Sequence, residues 1–108
     1  MKHPSSLPRS SATMVAEANE QVARISVDEL RTLLTNDAIT LLDVRETGEH
    51  AACTIPGAVC VPRGMLEFHA DPASPFHRAG MAPSRNYVLF CGSGGRSALA
   101  ALTLQTMG

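Results

Sequence analysis

A chain of 108 residues suffices for one small domain and not comfortably for two, and 44% hydrophobic against 18% charged residues is the balance of a folded protein. Nine basic and ten acidic residues leave a net charge of −1, so no overall basic field draws nucleic acid or an anionic membrane. No apolar run approaches the roughly 20 residues needed to cross a bilayer as a helix. With no Trp, one Tyr and three Phe, stacking on bases is not expected as a main activity.

Residues 1–21 read as a flexible N-terminal tail, with Pro4 and Pro8 among serines, and residues 22–108 as the folded domain. The apolar stretch Ala12–Ala16 is too short for the core of a secretory signal, and Glu17 and Glu20 follow at once. Order is expected from Val22–Ile25, read as a short strand. Ser26 and Glu29 then form the two halves of a capping box that opens a helix carrying Leu30, Leu33 and Leu34 on one side. Ile39–Arg45 is dense in apolar residues, the mark of a strand buried on both faces in a parallel sheet. A short helix over Glu46–Ala52 follows, then a turn at Ile55-Pro56-Gly57. A strand over Ala58–Val61 is closed by Pro62. Met65–Phe68 can form one helical turn, and residues 70–84, punctuated by Pro and Gly, read as loop. Tyr87–Phe90 is a compact buried strand. It runs through Cys91-Gly92-Ser93-Gly94-Gly95-Arg96 into a helix over Ser97–Met107, with Gly108 where a terminating glycine belongs. The order specifies an α/β sandwich around a mainly parallel sheet. Fewer than ninety residues remain for three layers, so a C-terminal strand and its covering helix are expected to be missing from this stretch of chain.

The chemistry concentrates at Cys91. Ligands of open α/β sheets bind beyond the carboxyl ends of the strands, where this cysteine falls. Gly92, Gly94 and Gly95 let the backbone curl so that N–H groups point inward, and the following helix adds the positive end of its dipole. With Arg96 in the first turn, these features should lower the thiol pKa from its free value of about 8.5 and make Cys91 nucleophilic near neutrality.

Three motifs in this order and spacing resemble the rhodanese (sulfurtransferase) homology domain in its single-domain form. They are Leu41-Leu42-Asp43-Val44-Arg45, Ile55-Pro56-Gly57-Ala58-Val59-Cys60-Val61-Pro62, and Cys91-Gly92-Ser93-Gly94-Gly95-Arg96-Ser97. The resemblance implies a rhodanese-like three-layer sandwich with a mainly parallel five-stranded sheet, the last strand and helix being the absent pieces. It further implies a sulfurtransferase that carries a sulfane sulfur as a Cys91 persulfide, from thiosulfate or a persulfide to a thiol or cyanide. Arg96 would orient the donor, and Gly92, Ser93, Gly94, Gly95 and Ser97 would line its site. No metal or organic cofactor is required, the partners are small sulfur compounds or a protein thiol, and the three cysteines suit a reducing cytoplasm. Cysteine phosphatases and arsenate reductases of similar fold place five residues between Cys and Arg; here there are four, which favours sulfur. A non-catalytic binding or regulatory module is the other alternative, and the intact Cys91 and Arg96 argue against it.

Asp43 and Arg45 read either as support behind the loop or as a surface ion pair, and the resemblance favours support. Cys53-Thr54 stands where many relatives have Gly-His, a departure that alters local ion pairing. Cys60 reads as a small core residue, and a redox role for Cys53 is the lesser alternative. The four histidines, His3, His50, His69 and His77, show no ligand spacing and read as solvated or capping.

Overall fold

The computed structural model describes residues 8–92 and 94–108. Three parallel strands form its sheet in the order β2-β1-β3, where β1 is Thr40–Asp43, β2 is Val59–Cys60 and β3 is Tyr87–Phe90. Leu42 pairs with Val59 on one side and Leu89 on the other, and Asp43 with Cys60 and Phe90. The central strand is therefore the apolar run that the sequence marks as buried on both faces, and Leu41 and Leu42 are each 1% exposed. Burying such a side chain contributes about 1.5–3 kcal/mol.

Side chains two apart share a face of the sheet. Leu42 and Val44 join Val61 beneath α4 (Leu66–Ala70) and α5 (Gly95–Met107), in a core with Leu66, Met81 and Ala100. Tyr87, Leu89 and Cys91 pack against this same cluster. The opposite face carries Leu41 and Asp43, and His50 of α3 (Thr47–Ala52) reaches Asp43 there. A single-turn 3₁₀ helix at Arg63–Met65 leads into α4, and Arg63 reaches both Glu67 and Thr103 of α5.

The expected capping box is present at α2 (Val27–Thr35): Ser26 Oγ accepts from the Glu29 N–H at 3.1 Å, and Glu29 Oε1 accepts from the Ser26 N–H at 3.2 Å. Two expectations need correction. The segment read as a flexible tail contains a helix, α1 (Ser11–Gln21), which is capped by Ser10 and packs against α5 with Ala18 fully buried. Ala, Met, Glu and Gln dominate it, and their helix propensity outweighs the serine-rich start. Val22–Ile25, read as a strand, is irregular, because no strand among the described residues lies beside it to complete a ladder. The sheet thus has three strands among the described residues where the family resemblance implies five.

Candidate active site

The last rung of the β1–β3 ladder is the Val44 N–H donating to the Phe90 carbonyl at 3.1 Å, and Cys91 follows directly. The chain then turns at Gly94, whose φ of 90° lies in the left-handed region and which caps α5. An L side chain is strained in that conformation, which is why glycine occupies it. The turn wraps around the cysteine sulfur. The Gly94 N–H donates to Cys91 Sγ at 3.1 Å, and the Ser97 N–H points to it at 3.4 Å. Ser97 Oγ lies 3.6 Å from Sγ and donates to the Gly94 carbonyl at 3.1 Å. The sulfur is half-buried at the N-terminus of α5, an arrangement in which backbone N–H groups favour negative charge.

Arg96 points back across the turn; a Cβ placed on Gly92 would lie 3.6 Å from its Nη2. Its two terminal nitrogens also donate to the Glu49 carboxylate of α3, at 2.7 and 3.1 Å. The Arg96 pKa is raised, chiefly by these hydrogen bonds to Glu49 and further by the negative charges of Glu49 and Cys91. Glu49 is in turn lowered to about 2, first by Arg96 and then by the Glu46 N–H, which donates to its Oε1 at 3.1 Å.

Behind the turn lies Asp43, with no exposed surface. Its Oδ1 accepts from the Arg45 N–H and Nε, at 3.0 and 2.9 Å. Its Oδ2 receives Arg45 Nη2 at 2.8 Å and the Thr54 hydroxyl at 3.0 Å, with His50 Nδ1 at 2.9 Å. Burial alone would raise the Asp43 pKa, but the hydrogen bonds from Arg45, His50 and Thr54 outweigh it and hold the carboxyl well below the usual carboxylate range. Arg45 also donates to the Cys53 carbonyl, and its guanidinium lies 5.6 Å from the centre of the Phe90 ring, one residue before Cys91.

The structure thus brings Cys91, Gly94, Arg96 and Ser97 together, and sets Asp43 and Arg45 behind them as a buried ion pair. Gly92 is exposed, Gly95 opens α5, and Ser93 lies outside the described residues. Sequence reading missed Glu49, His50 and Thr54. His50, read as solvated or capping, is a half-buried partner of Asp43, and Thr54 donates to the same oxygen. The one available signal for Glu49 was its place in the first turn of a helix that begins after Glu46. Cys60 is half-buried on the Arg45 side of the sheet, where burial raises its pKa, whereas Cys53 is exposed. A cavity of about 520 Å³ between β3 and the end of α5, lined by Met81, Tyr87, Leu89 and Leu104, lies apart from Cys91. Among the described residues no group of three His, Cys, Asp or Glu could hold a metal ion, and no helix is long and apolar enough to cross a membrane.

A model of the rhodanese-like domain matches residues 26–108. The chain belongs to the rhodanese-like domain family. It is 35% identical over 91 residues to the human thiosulfate:glutathione sulfurtransferase, covering 78% of each chain. It is 29% identical over 94 residues to the putative sulfur carrier protein YrkF of Bacillus subtilis; that match takes in 86% of this chain but only 46% of that protein. A solved Rhodopseudomonas palustris protein of unknown function, described as a possible tyrosine phosphatase, superposes over 100% of this chain and 83% of its own with a TM-score of 0.87 at 33% identity. All of these likenesses support the rhodanese-like fold, and the family match with the human and Bacillus subtilis relatives supports sulfur-transfer chemistry in general for this domain.

Proposed function

We propose that this rhodanese-like domain is a sulfurtransferase in which Cys91 carries the transferred sulfur. The observation that carries the reading is the turn at residues 91–97, which aims the N–H groups of Gly94 and Ser97 at Sγ and leaves four residues between Cys91 and Arg96. With thiosulfate as donor, the Cys91 thiolate attacks the outer sulfur. The sulfur–sulfur bond of the donor breaks, its electron pair leaves with sulfite, and Cys91 becomes a persulfide anion. Cyanide or a thiolate then takes the outer sulfur, forming thiocyanate or a new persulfide and restoring the Cys91 thiolate. No proton has to move in either step when every sulfur nucleophile starts ionised. Arg96 orients the donor, and the residues from Gly92 to Ser97 line its path.

Thiosulfate and a low-molecular-weight or protein persulfide are the proposed donors, and a thiol such as glutathione the proposed acceptor; the human relative's name supports that pairing. The turn holds no basic residue between Cys91 and Arg96, which favours a persulfide over thiosulfate. A reducing, cytoplasmic setting suits a chemistry that depends on thiols. The description of the Rhodopseudomonas palustris neighbour keeps phosphate-ester hydrolysis as the second reading.

The test is thiocyanate release from thiosulfate and from glutathione persulfide, in the parent protein and Cys91→Ser, with peptide mass mapping. Turnover that vanishes in the variant, together with one added sulfur atom on Cys91, is expected. Hydrolysis of an aryl phosphate without sulfur transfer would replace this reading with the phosphatase one.

A further inference from the structure

Charges of alternating sign run from the buried side of the sheet to the turn: Asp43, Arg45, Glu49, Arg96 and then the Cys91 sulfur. Arg45 pairs with Asp43 at 2.8 Å and also attracts Glu49, which pairs with Arg96 at 2.7 Å. The arginine nearest the sulfur is therefore already compensated by a carboxylate that engages both of its terminal nitrogens. Residues 92–95 are Gly, Ser, Gly and Gly and add no charge of their own. A donor entering this site meets one shared guanidinium, a thiolate and a nearby acid.

We propose that Glu49 is a positioning and specificity-determining residue, holding Arg96 across the turn while biasing the site toward sulfur donors with one negative charge and against donors with two. The proposal rests on Cys91 being the sulfur acceptor. It concerns the charge of the donor around its transferred sulfur. An organic thiosulfonate and thiosulfate offer the same terminal sulfur and leave as sulfinate or sulfite, but thiosulfate carries one charge more. Coulomb repulsion between that extra charge and Glu49, one guanidinium away in partly wet protein, amounts to about three- to tenfold discrimination. Glu49 and Arg96 are both 41% exposed, and screening keeps the effect toward the lower end.

The experiment measures kcat and KM of the full chain for thiosulfate and for benzenethiosulfonate, with cyanide as acceptor. It is run on the parent, Glu49→Gln and Glu49→Asp. Glutamine keeps the shape and the acceptor for the Glu46 N–H, and a melting curve of each variant verifies its folding. In Glu49→Gln the ratio of kcat/KM for thiosulfate to that for benzenethiosulfonate should rise about three- to tenfold, mainly through the KM for thiosulfate. The rise should shrink in high salt, and Glu49→Asp should keep the parent ratio. Equal losses with both donors in Glu49→Gln would overturn the proposal and leave a purely structural role. A ratio in Glu49→Asp that moves as far as in Glu49→Gln would also overturn it. Should neither donor place sulfur on Cys91 of the parent, as read by mass, the sulfur-transfer reading falls and this proposal with it.

Discussion

Replacing Asp43 by Asn tests whether the Asp43–Arg45 ion pair supports the turn that carries Cys91. The carboxylate is fully buried and receives donors from the Arg45 backbone and guanidinium, His50 and Thr54. An amide keeps the volume, but its NH₂ end faces donors with another donor. Breaking a buried pair by neutralising one member costs about 3–5 kcal/mol. Arg45 and His50 are 17% and 25% exposed and recover some hydration, which places the loss near the bottom of that range, about 3 kcal/mol. For a domain of this size that lowers Tm by roughly 12–24 °C. Acid supplies the second half of the test. A carboxyl whose folded pKa is depressed contributes stability that is present above its unfolded value, about 3.9, and lost as pH falls toward the folded value. Glu49, lowered to about 2, loses its own contribution between about pH 4.5 and 2 in parent and variant alike, so the difference between the two curves isolates Asp43. Urea unfolding at several pH values from 7 down to 3 should show the parent converging on Asp43→Asn in acid. A variant within about 1 kcal/mol of the parent at pH 7, or parallel pH curves, would refute the argument.

Two further substitutions probe the turn and the N-terminal helix. Gly94→Ala introduces no clash, since nothing lies within 4 Å of the added Cβ, yet it places an L residue at φ 90°. It should cost about 1–2 kcal/mol in denaturant unfolding and lower thiocyanate release further, because the N–H that faces Cys91 Sγ moves with it. Ala18→Asp places an unpaired carboxylate in a fully buried position of α1 and should cost about 2–4 kcal/mol, whereas Ala16→Asp, at an exposed position, should stay within about 0.5 kcal/mol. Equal effects of the two would mean that α1 is not packed on the domain.

The sequence was most informative where one element announces itself alone. Leu41 and Leu42 mark a strand covered on both faces, Ser26 and Glu29 cap α2 within a single turn, and Cys91 to Ser97 form one local loop. Contacts across long stretches of chain left little trace. Arg96 and Glu49 are 47 positions apart, and only folding shows that an acid in the first turn of α3 reaches an arginine of α5. His50 looked like one of several scattered histidines, because its meaning depends on a carboxylate seven residues earlier that the sheet buries. The N-terminal segment misled in a different way. Its prolines and serines suggested a tail, yet the run from Ala12 to Gln21 has helical propensity and an apolar residue, Ala18, small enough to be fully covered.

The parallel register of β1 and β3 also constrains how damage can spread. Asp43 and Phe90 stand side by side, and the sulfur-bearing residue comes one position after Phe90. A slip of one residue would exchange the two faces of the strand and turn Asp43 into the apolar core, and a slip of two would carry Cys91 about 7 Å along the sheet. No small displacement lies between these. The ladder behaves as a ratchet with widely spaced teeth, so weakening its anchors at Asp43 or Arg45 should reduce the number of competent molecules and leave the turnover of each intact one nearly unchanged.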